Sequence, residues 1–597
     1  MYDWEKIDMI REGAMKEKVY WTGHPFVDAG LSAIAAITGV QRLEDLETTH
    51  LEVAAKELER ILLSDQALGI GVEKAFVKGA LSQLFPNSEL VNPSNWKGQT
   101  LEAKAENVKQ KFREALKHDL NKAKISLDQS GDAICSVCGR HVPDTAITYV
   151  RKDKMPLLIG IVNFYPAFAY GVRICGLCAF AIRFLPMAVL GAKVYSKHQS
   201  SLKSKDRLWF LHTQALDVAS KISKHYCWLK FDKAIAANEP LDFYNRWQTA
   251  GDAGTVLYVL CELLEQLGAQ LREAYLHPLP TTAYLFSNDN RNPYVQPLPI
   301  PNELLIFLAK LQLKSKRAFQ RFWRELFLLP EGLNEKERSA RIGFVQRVAQ
   351  GLLRGESIIG MCLDEGNEQE NRPPRLWGGW LGHALYLLEV SKMSESKLAI
   401  LERLGLSIAQ SVDAKRHIME LRRAERGDLY AIFLYYVRKG WLKHDEFYTL
   451  LPPNSDAYAS ELRDILLAVI YEWQQCQETG KEFPKVTKEV ILSPDETLNR
   501  ITQIGEHLCQ KLPNLSRWIG QLQTARSSER IRGVYLSAVQ RGAMSFTDFV
   551  FLAPLGDRQK MWLLRDYLLA FLFEQARDVL PEEEEIAVPE RTALENL

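Results

Sequence analysis

What this chain lacks narrows its function before any motif does. It has almost no net charge: 75 Lys+Arg stand against 74 Asp+Glu in 597 residues, a formal +1. That argues against a nucleic-acid binder held by bulk charge, although local clusters rather than the total set the field a ligand feels. Cysteine is sparse, with 9 in the chain, so a disulfide scaffold is excluded. The start, Met1-Tyr2-Asp3-Trp4-Glu5, has neither the basic residues nor the apolar run of a signal peptide. The longest uncharged stretch, residues 155–172, is 18 long but holds Pro156, Gly160, Asn163, Pro166 and Gly171. It reads as buried strand and turn rather than a membrane span. A cytoplasmic, reducing setting is expected, with no membrane partner.

Catalytic signatures are missing as well. There is no GxxxxGK[ST] loop, no HExxH and no GxSxG. His-Asp doublets at His118-Asp119 and His444-Asp445 have no further ligands to complete a metal-dependent phosphohydrolase, and both are read as surface residues. No enzyme is expected.

What is present is unevenly distributed. The length exceeds what one core serves, so two to four domains are expected. Residues 1–130 form a mixed segment: a small-residue helix begins behind Pro25, an amphipathic helix covers 51–63, and a Lys-rich helix covers 101–126. Residues 131–210 hold the cysteine pairs and a β-rich run at 145–162. Residues 211–375 look mostly helical, with a polar loop at 286–296. Residues 376–580 are helical throughout, one helix starting at the capping box Ser493-Pro494-Asp495-Glu496. Residues 581–597 are an acidic tail. The fold class expected is an α+β N-terminal portion with an embedded four-cysteine, zinc-ribbon-like module, followed by an all-helical C-terminal portion.

Cys135-Ser136-Val137-Cys138 and Cys175-Gly176-Leu177-Cys178 are two CxxC pairs separated by 36 residues. Two residues between cysteines let a tight knuckle aim both sulfurs at one point, and two knuckles supply the four thiolates of structural Zn²⁺. Such a shell is closed, so its role would be to brace rather than to activate water. Buried thiols or a redox pair are the alternatives. Cys227, Cys261, Cys362, Cys476 and Cys509 are scattered singly and read as small core residues.

Positive charge gathers in segments. Residues 140–207 carry 11 Lys+Arg and 3 Asp+Glu; residues 104–124 carry 7 and 3. Residues 310–324 carry six basic side chains (Lys310, Lys314, Lys316, Arg317, Arg321, Arg324) and no acid. Positions 310, 314, 317, 321 and 324 follow i+3/i+4 spacing, so one helix face is expected to track a phosphate backbone, with a solvated face as the plainer alternative.

Trp21-Thr22-Gly23-His24-Pro25-Phe26-Val27-Asp28-Ala29-Gly30 resembles the N-terminal TGxPxVDAG signature of large subunits of type I CRISPR Cascade surveillance complexes, in the I-A/I-B branch. The order that follows is similar too: a double CxxC, a Phe286-Ser287-Asn288 loop, then a helical region. The strong match covers about ten residues plus the cysteine pairs. The resemblance implies a subunit that contacts the crRNA 5′ end, recognises the PAM on target double-stranded DNA and helps unwind it for R-loop formation. Base pairing would then read sequence while the protein reads a short motif and backbone. The partners implied are crRNA, target DNA, the backbone, crRNA-processing and small Cascade subunits, and either a helicase-nuclease for antiviral defence or transposition proteins of a CRISPR-associated transposon.

On that reading Asn288, Asn290, Arg291 and Asn292 are the PAM candidates, since Asn and Arg suit base edges. Lys193, Lys197, Lys203, Lys205 and Arg207 are candidates for DNA phosphates, and Lys314, Arg317, Arg321 and Arg324 for nucleic-acid backbone. Thr22, Gly23, His24 and Asp28 belong to the signature and to RNA contact, with Asp28 as an acid in a first helical turn and Thr22 as that helix's cap. In some relatives the helical part is also made from an internal start, for which Met393 and Met419 are positioned here. The competing reading is a zinc-braced nucleic-acid-binding scaffold outside CRISPR.

Overall fold

A computed structural model describes residues 18–577, apart from 87, 151–155, 157–171, 199–200, 246–248, 288–293, 368–371, 425, 453–458, 487–495 and 555. Most of the 155–172 stretch, the start of the expected capping box at 493 and the acidic residues 581–597 thus lie outside the described residues. The chain divides into two compact units: residues 1–316 with 326–355, and residues 317–325 with 356–597. The division falls at 355/356 rather than at 375, and it sends part of one helix to the second unit.

The first unit opens with α1 (Pro25–Thr38), buried along nearly its whole length, as its run of Ala, Val, Ile and Leu requires. Pro25 occupies the first turn, where its missing N–H is harmless. Gly39 closes the helix in the left-handed region at φ 76°. α2 (Thr48–Leu62) and the 28-residue α3 (Leu101–Asp128) follow, α3 capped by Thr100, whose hydroxyl accepts from Ala103 N. Short pairs β1 (Ala133–Ile134) with β2 (His141–Val142), and β3 (Ile147–Val150) with β4 (Val172–Cys175), frame the cysteines. α4 (Gly176–Ile182) leaves β4 directly.

The main sheet has the order β7-β5-β6-β8-β9. β5 (Leu190–His198) and β6 (Ser201–Thr213) form one long hairpin; β7 (Tyr244–Asn245) lies parallel to β5 at Gly191 and Ala192. β8 (Thr281–Ser287) and β9 (Tyr294–Ile300) form a second hairpin, joined to the first through Leu208–Thr213 of β6. β9 is an edge strand, which is why it tolerates Pro297 and Pro299. These prolines and the polar connection disguise the second hairpin in the sequence, where 286–296 reads as loop. The helices α5 (Leu216–Ile222), α6 (Leu229–Ala236), α7 (Asp252–Leu267), α8 (Ala269–Leu276) and α9 (Asn302–Lys314) complete this side of the chain.

α9 ends at Lys314. Ser315 is extended (φ −160°, ψ 108°), and a new helix, α10 (Lys316–Phe327), begins. The continuous basic face expected over 310–324 therefore does not form. α9 buries Gln312, whose side chain donates to Leu264 O at 2.6 Å within the first unit. Residues 317–325 of α10 belong to the second unit, where Phe322 meets His383 at 5.7 Å. Two cores claim the two halves, and the chain breaks between them.

α11 (Glu335–Arg354) closes the first unit, with a capping box between Asn334 and Glu337. Among its described residues the second unit has one small strand pair, β10 (Leu363–Asp364) with β11 (Arg375–Leu376). The rest is helical: α12 (Trp380–Glu389), α13 (Glu395–Ala409), α14 (Ala414–Arg423), α15 (Arg426–Arg438), α16 (His444–Leu450), α17 (Ala459–Thr479), α18 (Glu496–Lys511), α19 (Leu515–Thr524), α20 (Ser528–Gln540), α21 (Phe546–Leu552) and α22 (Arg558–Gln575). Met393 lies between α12 and α13, whereas Met419 lies inside α14, so a start there would cut a helix. No helix among the described residues is long and apolar enough to cross a membrane.

Candidate metal centre and nucleic-acid surfaces

The cysteine knuckles form because the backbone turns where the sequence permits it. Cys135 N donates to Arg140 O at 3.0 Å, and Gly139 N donates back to Cys135 O at 3.0 Å. Gly139 sits at φ 73°, a left-handed position that suits glycine. The second knuckle is the first turn of α4. Gly176 packs so closely on Lys122 of α3 that a Cβ would collide with its backbone, and Gly176 N donates to Ser126 Oγ at 3.0 Å.

The four sulfurs lie within 4.8 Å of one another, and Cys135, Cys175 and Cys178 are buried. Cys135–Cys178 is 3.9 Å and Cys138–Cys175 is 3.7 Å. A disulfide needs about 2.05 Å. A tetrahedral cation with metal–sulfur bonds of about 2.3 Å places its sulfurs roughly 3.8 Å apart. The four thiols thus fit a shared metal ion rather than a bond between any two. Cys175 N also donates to Cys135 Sγ at 3.2 Å, supporting negative charge there. Hydrogen bonds from Cys138, Cys175 and Cys178 drive the Cys135 thiol far below its usual range. Hydrogen bonding to Cys135 pushes Cys175 up in turn. A cation would replace the protons these sulfurs otherwise share.

The signature segment packs onto this centre. Gly30 of α1 faces the Ala181 carbonyl of α4 so tightly that a Cβ has no room. Asp28 is 1% exposed and accepts four hydrogen bonds: Thr22 N and Thr22 Oγ1 at 2.8 Å each, Gly23 N at 3.0 Å and His212 Nε2 at 2.9 Å. Asp28 therefore ties the signature loop to β6. The N-cap position belongs to His24, not Thr22; Thr22 instead accepts from His24 N at 3.0 Å. Burial lowers the His24 pKa, and its Nδ1 is buried without a partner.

Phe26 of the signature meets Phe210 of β6 at 5.1 Å and Phe286 of β8 at 5.3 Å, and Phe210 meets Phe286 at 5.8 Å. Three sequence features separated by more than 250 residues converge on one aromatic cluster.

The two hairpins carry most of the remaining candidates. Beyond Arg207, β5 and β6 pair only with each other among the described residues, as a two-stranded ribbon over 193–206. Lys205 lies opposite Val194 and Lys203 opposite Ser196, while Lys193 lies opposite Asp206 and Lys197 opposite Leu202. The β8–β9 connection leaves the sheet at the same end, because Phe286 pairs with Leu208. Asn288, Asn290, Arg291 and Asn292 lie in that connection, outside the described residues. Arg207, at the ribbon's base, bonds the Tyr294 hydroxyl that opens β9, stacks 5.0 Å over its ring and lies 3.7 Å from Asp252.

The remaining cationic candidates divide. Lys314, Arg317 and Arg324 are exposed. Arg321 is not an available phosphate ligand: it pairs with buried Glu472 at 2.6 Å and donates to Gln475 and the Leu376 carbonyl. The His-Asp doublets are also not simple surface. Asp119 is 3% exposed and paired with Arg183 at 2.5 Å, and His444 bonds Glu574 at 2.8 Å. Of the single cysteines, Cys227, Cys261, Cys362 and Cys476 are buried and Cys509 half-buried.

Comparison with known proteins finds no matching family model, no matching curated protein and no matching solved structure.

Proposed function

We propose that the chain is the large, DNA-finding subunit of an RNA-guided type I Cascade complex, with Zn²⁺ held by Cys135, Cys138, Cys175 and Cys178. The carrying observation is the aromatic cluster of Phe26, Phe210 and Phe286. It joins the signature, the base of the basic ribbon and the strand that feeds the polar loop. In this reading the zinc centre holds α4 and β4 in place under α1. The sheet then brings Ser287 and Tyr294, which bracket residues 288–293 in the chain, to the end from which the ribbon leaves. The loop supplies Asn and Arg side chains suited to base edges, and the lysine-rich ribbon suits phosphates. The N–H groups of Thr22, Gly23 and His24 are taken up within the signature loop, so what the loop offers a guide-RNA phosphate is His24 at a helix N-terminus. None of these roles needs a reacting group, so the proposal includes no enzyme activity.

The test is co-expression with the other complex subunits and a crRNA. The full chain should co-purify with a stable RNA. Replacing Asn288, Asn290, Arg291 and Asn292 with serine should leave that assembly intact while abolishing PAM-dependent duplex binding. Recovery of the protein without RNA would overturn the proposal.

A further inference from the structure

The second unit holds a basic segment that the runs chosen by sequence do not include. Residues 511–541 carry six basic side chains and one acid, Glu529. Lys511, Arg517, Arg526, Arg530 and Arg541 are exposed, and Arg532 is half-buried. None of these six side chains has an ion-pair or hydrogen-bond partner among the described residues. A positive field with no carboxylate to answer it fits an anionic partner.

The helices place these charges. α19 and α20 are joined by three residues, Ala525, Arg526 and Ser527. Trp518 of α19 donates from Nε1 to Val534 O of α20 at 3.1 Å, and its ring lies 6.3 Å from that of Tyr535. Arg565 of α22 holds the turn, its Nη1 donating to Ala525 O at 3.2 Å. Ser527 caps α20 by accepting from Arg530 N at 3.3 Å. Two packed helices joined by a three-residue turn and held by a third are the parts of a helix-turn-helix, whose second helix lies in the major groove.

The surface of α20 suits that position. Ile531, Tyr535 and Ala538 form its buried face. At about 100° per residue, Glu529, Gly533, Leu536 and Gln540 share a ridge roughly 60° wide on the opposite side. All four are exposed. By the same periodicity Arg530 and Arg541 stand about 20° apart on one flank of the ridge, and Arg532 stands on the other. Near the middle of the ridge, a Cβ on Gly533 would meet no atom within 4 Å. A polar ridge with cations on both flanks matches a groove about 12 Å wide between two rows of phosphates.

We infer that α20 enters the major groove of duplex DNA, its ridge toward the base edges and Arg526, Arg530, Arg532 and Arg541 toward the phosphates on either side. α19 then crosses the backbone and brings Arg517 to it. This goes beyond the guided-complex reading and does not depend on it, since the surface lies in the second unit and the PAM candidates lie in the first.

The experiment uses the full chain with a fluorescent 30-base-pair duplex and no guide RNA or partner subunit. Gly533→Trp fills the ridge where the protein leaves open space. Its affinity for the duplex at low salt should fall at least about tenfold with the melting temperature unchanged, and Arg526→Ala/Arg530→Ala/Arg541→Ala should lose at least as much. Affinity for single-stranded dT30 should change by less than about threefold in both variants. A duplex whose cytosines carry glucosylated hydroxymethyl groups, which fill the major groove, should bind the native chain more weakly, and Gly533→Trp should not distinguish the two duplexes. If Gly533→Trp melts lower, Gln540→Trp on the same ridge replaces it. Native affinity in the ridge variant, equal binding of the two duplexes by the native chain, or an equal loss for dT30 would each overturn the inference, the last in favour of a single-strand surface. Because the probe needs no guide, these results stand whether or not the chain co-purifies with crRNA.

Discussion

Residues 104–124 of α3 and the segment 511–541 carry nearly the same surplus of positive charge, +4 and +5, and they put it to opposite uses. Along α3, Lys109 pairs with Asp65, Lys111 with Glu114, Arg113 with Glu59 and Lys124 with Glu52. Lys122 donates to the Ile147 carbonyl at 2.7 Å, beside the cysteine module. Across 511–541 the five exposed cations engage nothing among the described residues. A count of residues cannot separate the two; only the partners do. A cation already satisfied by carboxylates has no counterion to release, so it contributes little to phosphate binding.

The largest effect is expected at the cysteine module against which α3 packs. Changing Cys135 and Cys138 together to Ser should lose the metal and destabilise the first unit by more than about 5 kcal/mol, since structural zinc binding is folding free energy. Metal analysis and calorimetry should show one transition lowered and the other unmoved. A metal-free wild type with a normally melting double variant would remove the brace altogether.

Next in size is a cation engaged inside the second unit. Arg321→Ala leaves Glu472, 3% exposed, without its partner and should cost about 3–4 kcal/mol in urea unfolding. Arg530→Ala, at an exposed unpaired position, should cost under about 0.5 kcal/mol. Equal costs would erase the distinction between engaged and open cations.

His383 gives a pH-dependent version of the same contrast. It is fully buried, Nε2 donates to Trp377 O at 2.7 Å, and burial lowers its pKa from 6.5 to about 4. The folded unit then binds this proton less well than the unfolded chain. Its contribution is complete above pH 6.5, declines as pH falls towards 4, and is flat below. The total is about 3 kcal/mol. His383→Gln should flatten the stability profile of the second unit over that window.

The smallest effect is the finest discriminator. Arg526→Ala/Arg530→Ala/Arg541→Ala should lower the salt slope of oligonucleotide binding by about 2–3. Lys109→Ala/Lys111→Ala/Arg113→Ala on α3 should leave it unchanged. A loss of slope from the α3 variant would show that its ion pairs open in favour of phosphate.

Much of this was legible in the chain. The helix behind Pro25, the 28-residue α3 and the two knuckles follow local rules, namely capping, 3.6-residue periodicity and a two-residue spacing. The second hairpin was not legible, because Pro297 and Pro299 mimic loop and are tolerated only at an edge. The break at Ser315 had no local signal either; it arises because two cores bury the flanking helices. Asp28 looks in sequence like an acid favoured by a helix dipole, yet His212, 184 residues away, shares it.

The sequence alone determined the helices, the metal-ligand spacing and where charge is dense, since each depends on residues close together in the chain. Tertiary structure decided which charges are open, which aromatic residues meet and which polar groups are tied together. Those outcomes depend on partners brought near by packing, and an ion pair between α3 and α2 leaves no trace in the spacing of either.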